Sequence, residues 1–389
     1  MKRAHYAGRD FRRAITIEDL RRIARRKLPG FSFEYLEGGA EDEVTLRRNR
    51  DVFERVGWLP RALVGAGPPS LTAEIFGKPV GMPLVVAPTG FNGLLWPQGD
   101  IALAKAAVAA GIPFTLSTAS NCAVGRLAAA VPGNLWFQLY AYKDQRVVDR
   151  LVDRVAEAGC EVLVVTADAP VLGAREWDQR NYRAPMKLSV ASMLDVLLHP
   201  RWLRRVMLPS GPPTFENLAE FLPPGQHSAL VGAKYSFSQI NSRLSWHDVE
   251  RLRSRWPGKL VVKGLLCIED ARRSVEAGAD GIVLSNHGGR QLDGAVSGVE
   301  LLPAVAAELG GRLTVMVDGG FRRGTDVLKA LALGADAVMI GRAVLYGLAA
   351  GGEAGASHAL QLLRAEMDRA LMLLGCHEVG ELGRHLIRS

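Results

Sequence analysis

The sequence predicts an α/β protein built as a closed parallel barrel of eight strands, the (β/α)8 or TIM-barrel class. Three observations carry that expectation. Eight short apolar runs recur along the chain, each followed by polar or glycine residues and then by a helical pattern. Strands buried on both faces read as continuous apolar runs, and their alternation with helices marks a parallel sheet. Every run also ends in polar or charged groups, where barrels of this class carry their active residues. No Gly-x-Gly-x-x-Gly follows the first run, which counts against the alternative, an open doubly wound sheet that binds a dinucleotide.

In chain order, residues 1–80 read as a helical cap, residues 81–350 as the barrel, and residues 351–389 as C-terminal helices, all in one domain. Helices are expected to begin at Ile17-Glu18-Asp19-Leu20 and at Ser32-Phe33-Glu34-Tyr35-Leu36. The strands are placed at Leu84–Ala87, Phe114–Leu116, Leu135–Phe137, Val162–Val165, Leu260–Val262, Gly281–Leu284, Thr314–Val317 and Ala337–Ile340. Helical patterns fall at Gly99–Ala110, Arg146–Ala158, Ile268–Ala277 and Gly324–Leu333. The connection after strand 4 is long, about residues 170–244, and loops well beyond ~15 residues are functional or disordered as a rule. Within it, Met186–Met207 mixes apolar residues with Lys187, His199, Arg201, Arg204 and Arg205, a pattern suited to an anionic membrane surface. The competing expectation is a lid packed on its own barrel. Trp202 is read as an interface residue, and Pro68-Pro69, Pro212-Pro213 and Pro223-Pro224 as loop punctuation.

Composition narrows the class. The chain has 389 residues, 48% of them hydrophobic, enough for one large core. Four cysteines without metal-type spacing suit a reducing compartment and suggest no metal site. Met1–Leu20 is charged and predicts no signal peptide, and no apolar run approaches the ~20 residues of a membrane span. The formal charge of +8 fits an anionic surface or acidic substrates. Nucleic acid is not expected, because no zinc-finger or aromatic RNA-binding motif is present.

The stretch Ser285–Gly294 (SNHGGRQLDG) is the focus of the chemistry. His287 can move a proton near neutral pH, and Arg290 can grip a carboxylate with two parallel hydrogen bonds. Gly288 and Gly289 let the backbone approach a ligand. Asp168, after strand 4, is the carboxylate expected to orient His287 and stabilise its cation. Arg175, opening the long loop, would join Arg290 at an anionic ligand. Asp318-Gly319-Gly320 with Arg322, and Gly341-Arg342, fit the phosphate site that such barrels build after strands 7 and 8. A phosphate without an adenine fingerprint means FMN or a phosphorylated substrate. Lys263, on strand 5, can form a Schiff base, stabilise an anion such as a reduced flavin, or pair with a barrel carboxylate.

These motifs, with FQLY (Phe137–Tyr140), VKG (Val262–Gly264), DGGFRRGTD (Asp318–Asp326) and KALALGAD (Lys329–Asp336), resemble the FMN-dependent L-2-hydroxy-acid oxidase and dehydrogenase family. The resemblance runs from Leu28-Pro29 through Gly375-Cys376. It implies that His287 is the base, Asp168 its partner, and Arg290 and Arg175 the carboxylate clamp, assisted by Tyr35. Tyr140 would bond the substrate hydroxyl or the developing carbonyl. Lys263, Ser117, Gln138 and Thr166 would contact the flavin, as would the backbone of Pro88, Thr89 and Gly90. Asp318, Gly319, Gly320, Arg322, Gly341 and Arg342 would hold its ribityl phosphate end. The implied reaction converts an L-2-hydroxy acid to the 2-keto acid, by hydride or carbanion. Ala119 stands where members for small acids often carry a large aromatic, so a bulky substrate such as (S)-mandelate, giving benzoylformate, is expected. Leu198-His199-Pro200-Arg201-Trp202 looks like the loop of the bacterial mandelate-oxidising members, which attaches to the inner membrane. Gly90 replaces an alanine common in the oxidases and points to a dehydrogenase that passes electrons to a membrane quinone. The family's habit implies a homotetramer, peripheral on the cytoplasmic side of the inner membrane. An L-lactate dehydrogenase or a soluble oxidase producing hydrogen peroxide is the alternative.

Overall fold

The computed structural model describes residues 6–65, 67–184, 187–209, 211–222 and 229–388. Eight strands close into one barrel: β1 (Leu84–Val86), β2 (Phe114–Ser117), β3 (Leu135–Tyr140), β4 (Val162–Thr166), β5 (Lys259–Leu265), β6 (Gly281–Leu284), β7 (Thr314–Asp318) and β8 (Ala337–Ile340). All neighbours are parallel, and closure is made by β8 against β1 and β4 against β5. The expected strands are all present, with β3 and β5 longer than their apolar runs because they carry polar residues into the site.

Side chains alternate between two cores, as the pleat requires. Val85, Val164, Val261, Val283, Met316 and Met339 fill the barrel interior. Their neighbours Val86, Leu163, Val262, Ile282, Val317 and Ile340 face the surrounding helices. The floor is sealed by an antiparallel hairpin, Ala73–Ile75 with Lys78–Val80, which sequence reasoning did not anticipate. Its two turn residues, Phe76 and Gly77, both have positive φ (+52° and +77°), the geometry of a tight two-residue hairpin turn. Ile75 and Val80 enter the interior core, and the Phe76 ring lies 5.7 Å from that of Trp136.

The cap consists of helices Ile17–Lys27, Gly30–Glu37 and Val44–Asp51. Thr16 Oγ1 accepts from Asp19 N at 3.1 Å and fixes the start of the first. The segment Arg342–Leu374 is two helices joined across a non-helical kink at Gly351 and Gly352, where a Cβ on Gly352 would stand 2.4 Å from the Trp96 ring.

The insertion after β4 is structured rather than a bare loop. It holds helices Glu176–Arg180, Val190–Leu197 and Ala229–Gln239, a helical turn over 200–207, and a short hairpin, Tyr182–Ala184 with Lys187–Leu188. The reading of Trp202 as an interface residue is corrected: it is 4% exposed, donates Nε1 to Leu94 O at 2.8 Å and packs edge-on against Phe31. Met186, at the start of the basic segment, and Pro223-Pro224 lie outside the described residues.

Candidate active site

The turn after β6 begins at Ser285, whose Oγ accepts from Lys263 Nζ (2.7 Å) and from His287 N (3.0 Å). His287, Gly288 and Gly289 then take three successive positive φ angles, +59°, +66° and +76°. For the histidine this is a strained conformation, of the kind that clusters at functional sites. The glycines are needed for close approaches, though not by a ligand alone. A Cβ on Gly288 would meet Arg342 Nη1 at 3.1 Å, and one on Gly289 would meet the Leu46 backbone at 2.8 Å. Asn286 and Asn49 exchange reciprocal 2.8 Å hydrogen bonds, locking this turn to the cap helix Val44–Asp51.

His287 Nδ1 lies 3.0 Å from Asp168 Oδ1, and His287 Nε2 lies 3.5 Å from the Tyr140 hydroxyl. A carboxylate on Nδ1 sets the tautomer, leaving Nε2 free to accept a proton at the cavity. Burial would raise the Asp168 carboxyl, but the charge and hydrogen bond of His287, with Lys263 behind, outweigh it and hold Asp168 below its ordinary value. Burial pushes the Tyr140 phenol well up, so it stays a neutral donor.

Lys263 is 4% exposed at the top of β5, with Nζ 2.8 Å from Asp318 Oδ2. Burial opposes its charge, yet Asp318 and Asp168 raise its pKa overall. The ion pair with a barrel carboxylate, one of the alternatives for this lysine, is thus present. Nearby, the Gln138 amide links neighbouring strands, its Oε1 accepting from Ser117 Oγ (2.8 Å) and its Nε2 donating to Thr166 Oγ1 (2.9 Å).

Arg290 packs 5.4 Å over the Tyr35 ring and donates Nη1 to Gly38 O at 2.5 Å, while the Tyr35 hydroxyl donates to Gly90 O at 3.2 Å. Arg175 is tied to the same turn through Nε to Arg290 O (3.3 Å). Burial, then the charges of Arg175 and Arg342, push Arg290 down to about 9, with Asp178 only partly compensating from 3.7 Å. A guanidinium does not deprotonate in this range. Buried beside Arg175 and Arg342 and 3.7 Å from Asp178, it suits an additional anion in the cavity. Asp178 is a site residue that sequence reasoning missed; an acid three residues after Arg175, on the same short helix, was the available signal.

At the opposite end, Gly319 and Gly320 have φ of +100° and +83°, and a Cβ on Gly320 would stand 1.9 Å from Asn49 O. Among the described residues Arg342 donates only to main-chain oxygens: Leu36 O, Gly288 O and Gly38 O. Burial leads the factors that push its pKa below the ordinary value. Arg322 is already engaged, donating to the Tyr346 hydroxyl (2.9 Å), which in turn donates to Glu37 (2.6 Å).

One cavity of about 1670 Å³, open mouth included, is lined by every expected site residue except Asp168, which stands behind His287. These are Tyr35, Pro88, Thr89, Gly90, Ser117, Ala119, Gln138, Tyr140, Thr166, Arg175, Lys263, His287, Arg290, Asp318, Gly319, Gly320, Arg322, Gly341 and Arg342. A family model described as FMN-dependent dehydrogenase matches residues 24–389. The chain belongs to the FMN-dependent dehydrogenase family.

Members of the family similar to this chain include the (S)-mandelate dehydrogenase of Pseudomonas putida, 46% identical over 96% of this chain and 94% of that one. A putative L-lactate dehydrogenase of Mycobacterium tuberculosis is 45% identical over 96% of this chain and 89% of its own length. The crystal structure of the monotopic membrane protein (S)-mandelate dehydrogenase superposes with a TM-score of 0.93 at 45% identity, covering 97% and 99% of the two chains. FMN is the family's cofactor, and the residues here fit it. Among the described residues Asp318 Oδ1 is buried without a hydrogen-bond partner, Lys263 stands at the barrel centre, and the only partly compensated Arg290 and Arg342 at the two ends suit an anionic group.

The insertion supplies wall residues that sequence reasoning did not single out: Leu172, Tyr182, Phe215, Ser236 and Ile240. Gln291 fastens it down, donating Nε2 to Asp168 O (2.7 Å) and Val171 O (2.9 Å) and accepting from Gly173 N (3.1 Å). On its outer side, Val190, Met193, Leu194, Leu197 and Leu198 are exposed on one stripe of the helix, and Leu208 is exposed nearby. Among the described residues no helix is long and apolar enough to cross a membrane.

Proposed function

We propose that this dehydrogenase oxidises an L-2-hydroxy acid with a bulky side chain, (S)-mandelate in the first instance, to the 2-keto acid benzoylformate. The observation that carries the reading is the pairing of a proton acceptor and an anion clamp at one cavity: His287 on Asp168, beside Arg290 and Arg175. The arginines hold the substrate carboxylate, Tyr35 and Tyr140 orient it, and His287 Nε2 takes a proton as the alcohol becomes a carbonyl. Asp168 stabilises the imidazolium so formed. Bound FMN supplies the acceptor for the two electrons. Lys263, Ser117, Gln138, Thr166 and the Pro88–Gly90 backbone would hold the flavin ring, and Asp318, Gly319, Gly320, Arg322, Gly341 and Arg342 would hold the phosphate end.

Ala119 supports the bulky substrate. It lines the same cavity as the apolar Phe215 and Ile240, packed close to Gly90, and its methyl takes less of that space than an aromatic side chain would. The experiment is a visible spectrum under anaerobic conditions. Rapid bleaching by (S)-mandelate and slow bleaching by L-lactate is expected. The reverse order would make the chain a lactate dehydrogenase on the same site, and no bleaching by either would overturn the reading.

We further propose that the whole chain works as one unit, a homotetramer carried over from the family likeness. It sits peripherally on the cytoplasmic side of the inner membrane and passes electrons to a membrane quinone. The exposed apolar stripe Val190–Leu198, flanked by Lys187, Arg201, Arg204 and Arg205, supports attachment. Fractionation, light scattering and a peroxide assay test these points. A soluble enzyme, or stoichiometric peroxide, would instead favour the soluble oxidase.

A further inference from the structure

A second cavity, about 1240 Å³ with its mouth, lies outside the active site. Its wall is cationic: Arg9, Arg26 and Lys27 on one side, Arg201 and Arg205 on the other, with His199 and the Trp96 ring between. No carboxylate lines it. Among the described residues none of these five cations forms an ion pair. Two acids lie close by, Asp195 against His199 of the wall and Asp10 near Lys27. Asp10 pairs with Arg12 at 3.8 Å, and Asp195 accepts from Gly30 N at 2.6 Å with His199 Nδ1 at 3.5 Å. Arg26 Nη2 donates to Gly8 O and Lys27 Nζ to Ala350 O, but among the described residues Arg26 Nε is buried without a hydrogen-bond partner, and the Arg205 guanidinium lies 4.2 Å over the Trp96 ring. Burial lowers the Lys27 pKa, and Arg205, Arg201 and Arg9 add to the effect against Asp10.

Concentrated positive charge costs energy unless an anion shares it. The place of the cavity indicates which anion. Leu198 and Arg201 belong to its rim, and Leu198 also ends the exposed apolar stripe. Side chains that seek acyl chains therefore adjoin side chains that seek phosphate.

We propose that this pocket seats the phosphate of an anionic lipid headgroup. The choice of a lipid as the source rests on the peripheral-membrane reading above; the anion site itself rests on the cationic cavity.

The test is flotation of the FMN-loaded enzyme with vesicles of phosphatidylcholine, with and without phosphatidylglycerol. Each cation at an anionic surface is worth about fivefold in binding, so Arg26→Gln with Lys27→Gln should weaken binding to phosphatidylglycerol vesicles about 25-fold. Binding to pure phosphatidylcholine should change little. Arg201→Gln with Arg205→Gln, on the rim, should act alike and covers the case in which the floor variant fails to fold. Arg204→Gln, exposed and outside the cavity lining, removes only the diffuse contribution of one surface cation and should cost no more than about fivefold, less than either pair.

An Arg204→Gln loss equal to that of the floor pair would overturn the pocket. So would equal wild-type binding to both vesicle types, which would leave the membrane reading standing. Binding to neither would overturn both. If inorganic phosphate raises the melting temperature through Arg26 and Lys27 but vesicles gain nothing from phosphatidylglycerol, the lipid source is wrong.

Discussion

Asp168 Oδ1 and His287 Nδ1 lie 3.0 Å apart, bridging the ends of β4 and β6 across β5. Substituting His287→Ala should leave FMN bound and slow anaerobic flavin reduction ~10²–10⁴-fold, the usual contribution of a positioned acid–base group. Near-normal reduction would remove His287 from the role of base.

The same pair predicts an acid limb in stability. Asp168 is held below its ordinary value in the fold, so its contribution is fully present above about pH 4 and is lost as pH falls through the lower folded value. Asp168→Asn should flatten the fall of melting temperature with acid. A curve unchanged below pH 4 would show that the pair adds nothing there.

Arg290 is buried beside two other arginines and lacks a full counter-charge. Arg290→Met should raise the KM for the hydroxy acid about 10–100-fold, the worth of a charge-assisted hydrogen bond at 1.5–3 kcal/mol. A substrate analogue carrying an amide in place of the carboxylate should discriminate little between wild type and variant. An unchanged KM for the acid would rule out the clamp.

Lys263 and Asp318 form a buried ion pair, so two roles must be separated. Lys263→Met alone should destabilise the fold by about 3–5 kcal/mol, because it strands a buried carboxylate. Adding Asp318→Asn should recover much of that stability. Flavin reduction should remain impaired in the double variant. Recovery of both stability and turnover would make the lysine purely structural.

At Ala119, a Cβ built on Gly90 would stand 3.1 Å from the alanine's own Cβ, so this wall is already close. Ala119→Phe should reduce kcat/KM for (S)-mandelate about 5–150-fold, the cost of overfilling a pocket by about 1–3 kcal/mol. L-Lactate should be affected far less. Parallel losses for both acids would place the substrate side chain elsewhere.

The barrel was legible in the sequence because its strands are short, apolar on both faces and interrupted by polar ends. The site was legible because its residues cluster on those ends. What escaped were features decided by long-range packing. Nothing local distinguishes Trp202, buried under the cap, from a tryptophan at a lipid surface. The floor hairpin turns on Phe76-Gly77, a weak turn signal beside Asn-Gly. Gln291 and Asp178 act through partners far away in the chain. The glycines after His287 read as space for a ligand, and half of that space is occupied by the cap helix through Leu46.

The hairpin that seals the floor has a kinetic meaning. With Ile75, Val80 and the interior valines filling the axis, the barrel offers no passage from its far end to the chemistry. Where hydroxy acid and electron acceptor share the one mouth, the keto acid has to clear it before the acceptor enters. Such an enzyme gives parallel lines in double-reciprocal plots as the acceptor is varied. Its first product should compete with the second substrate rather than assist it.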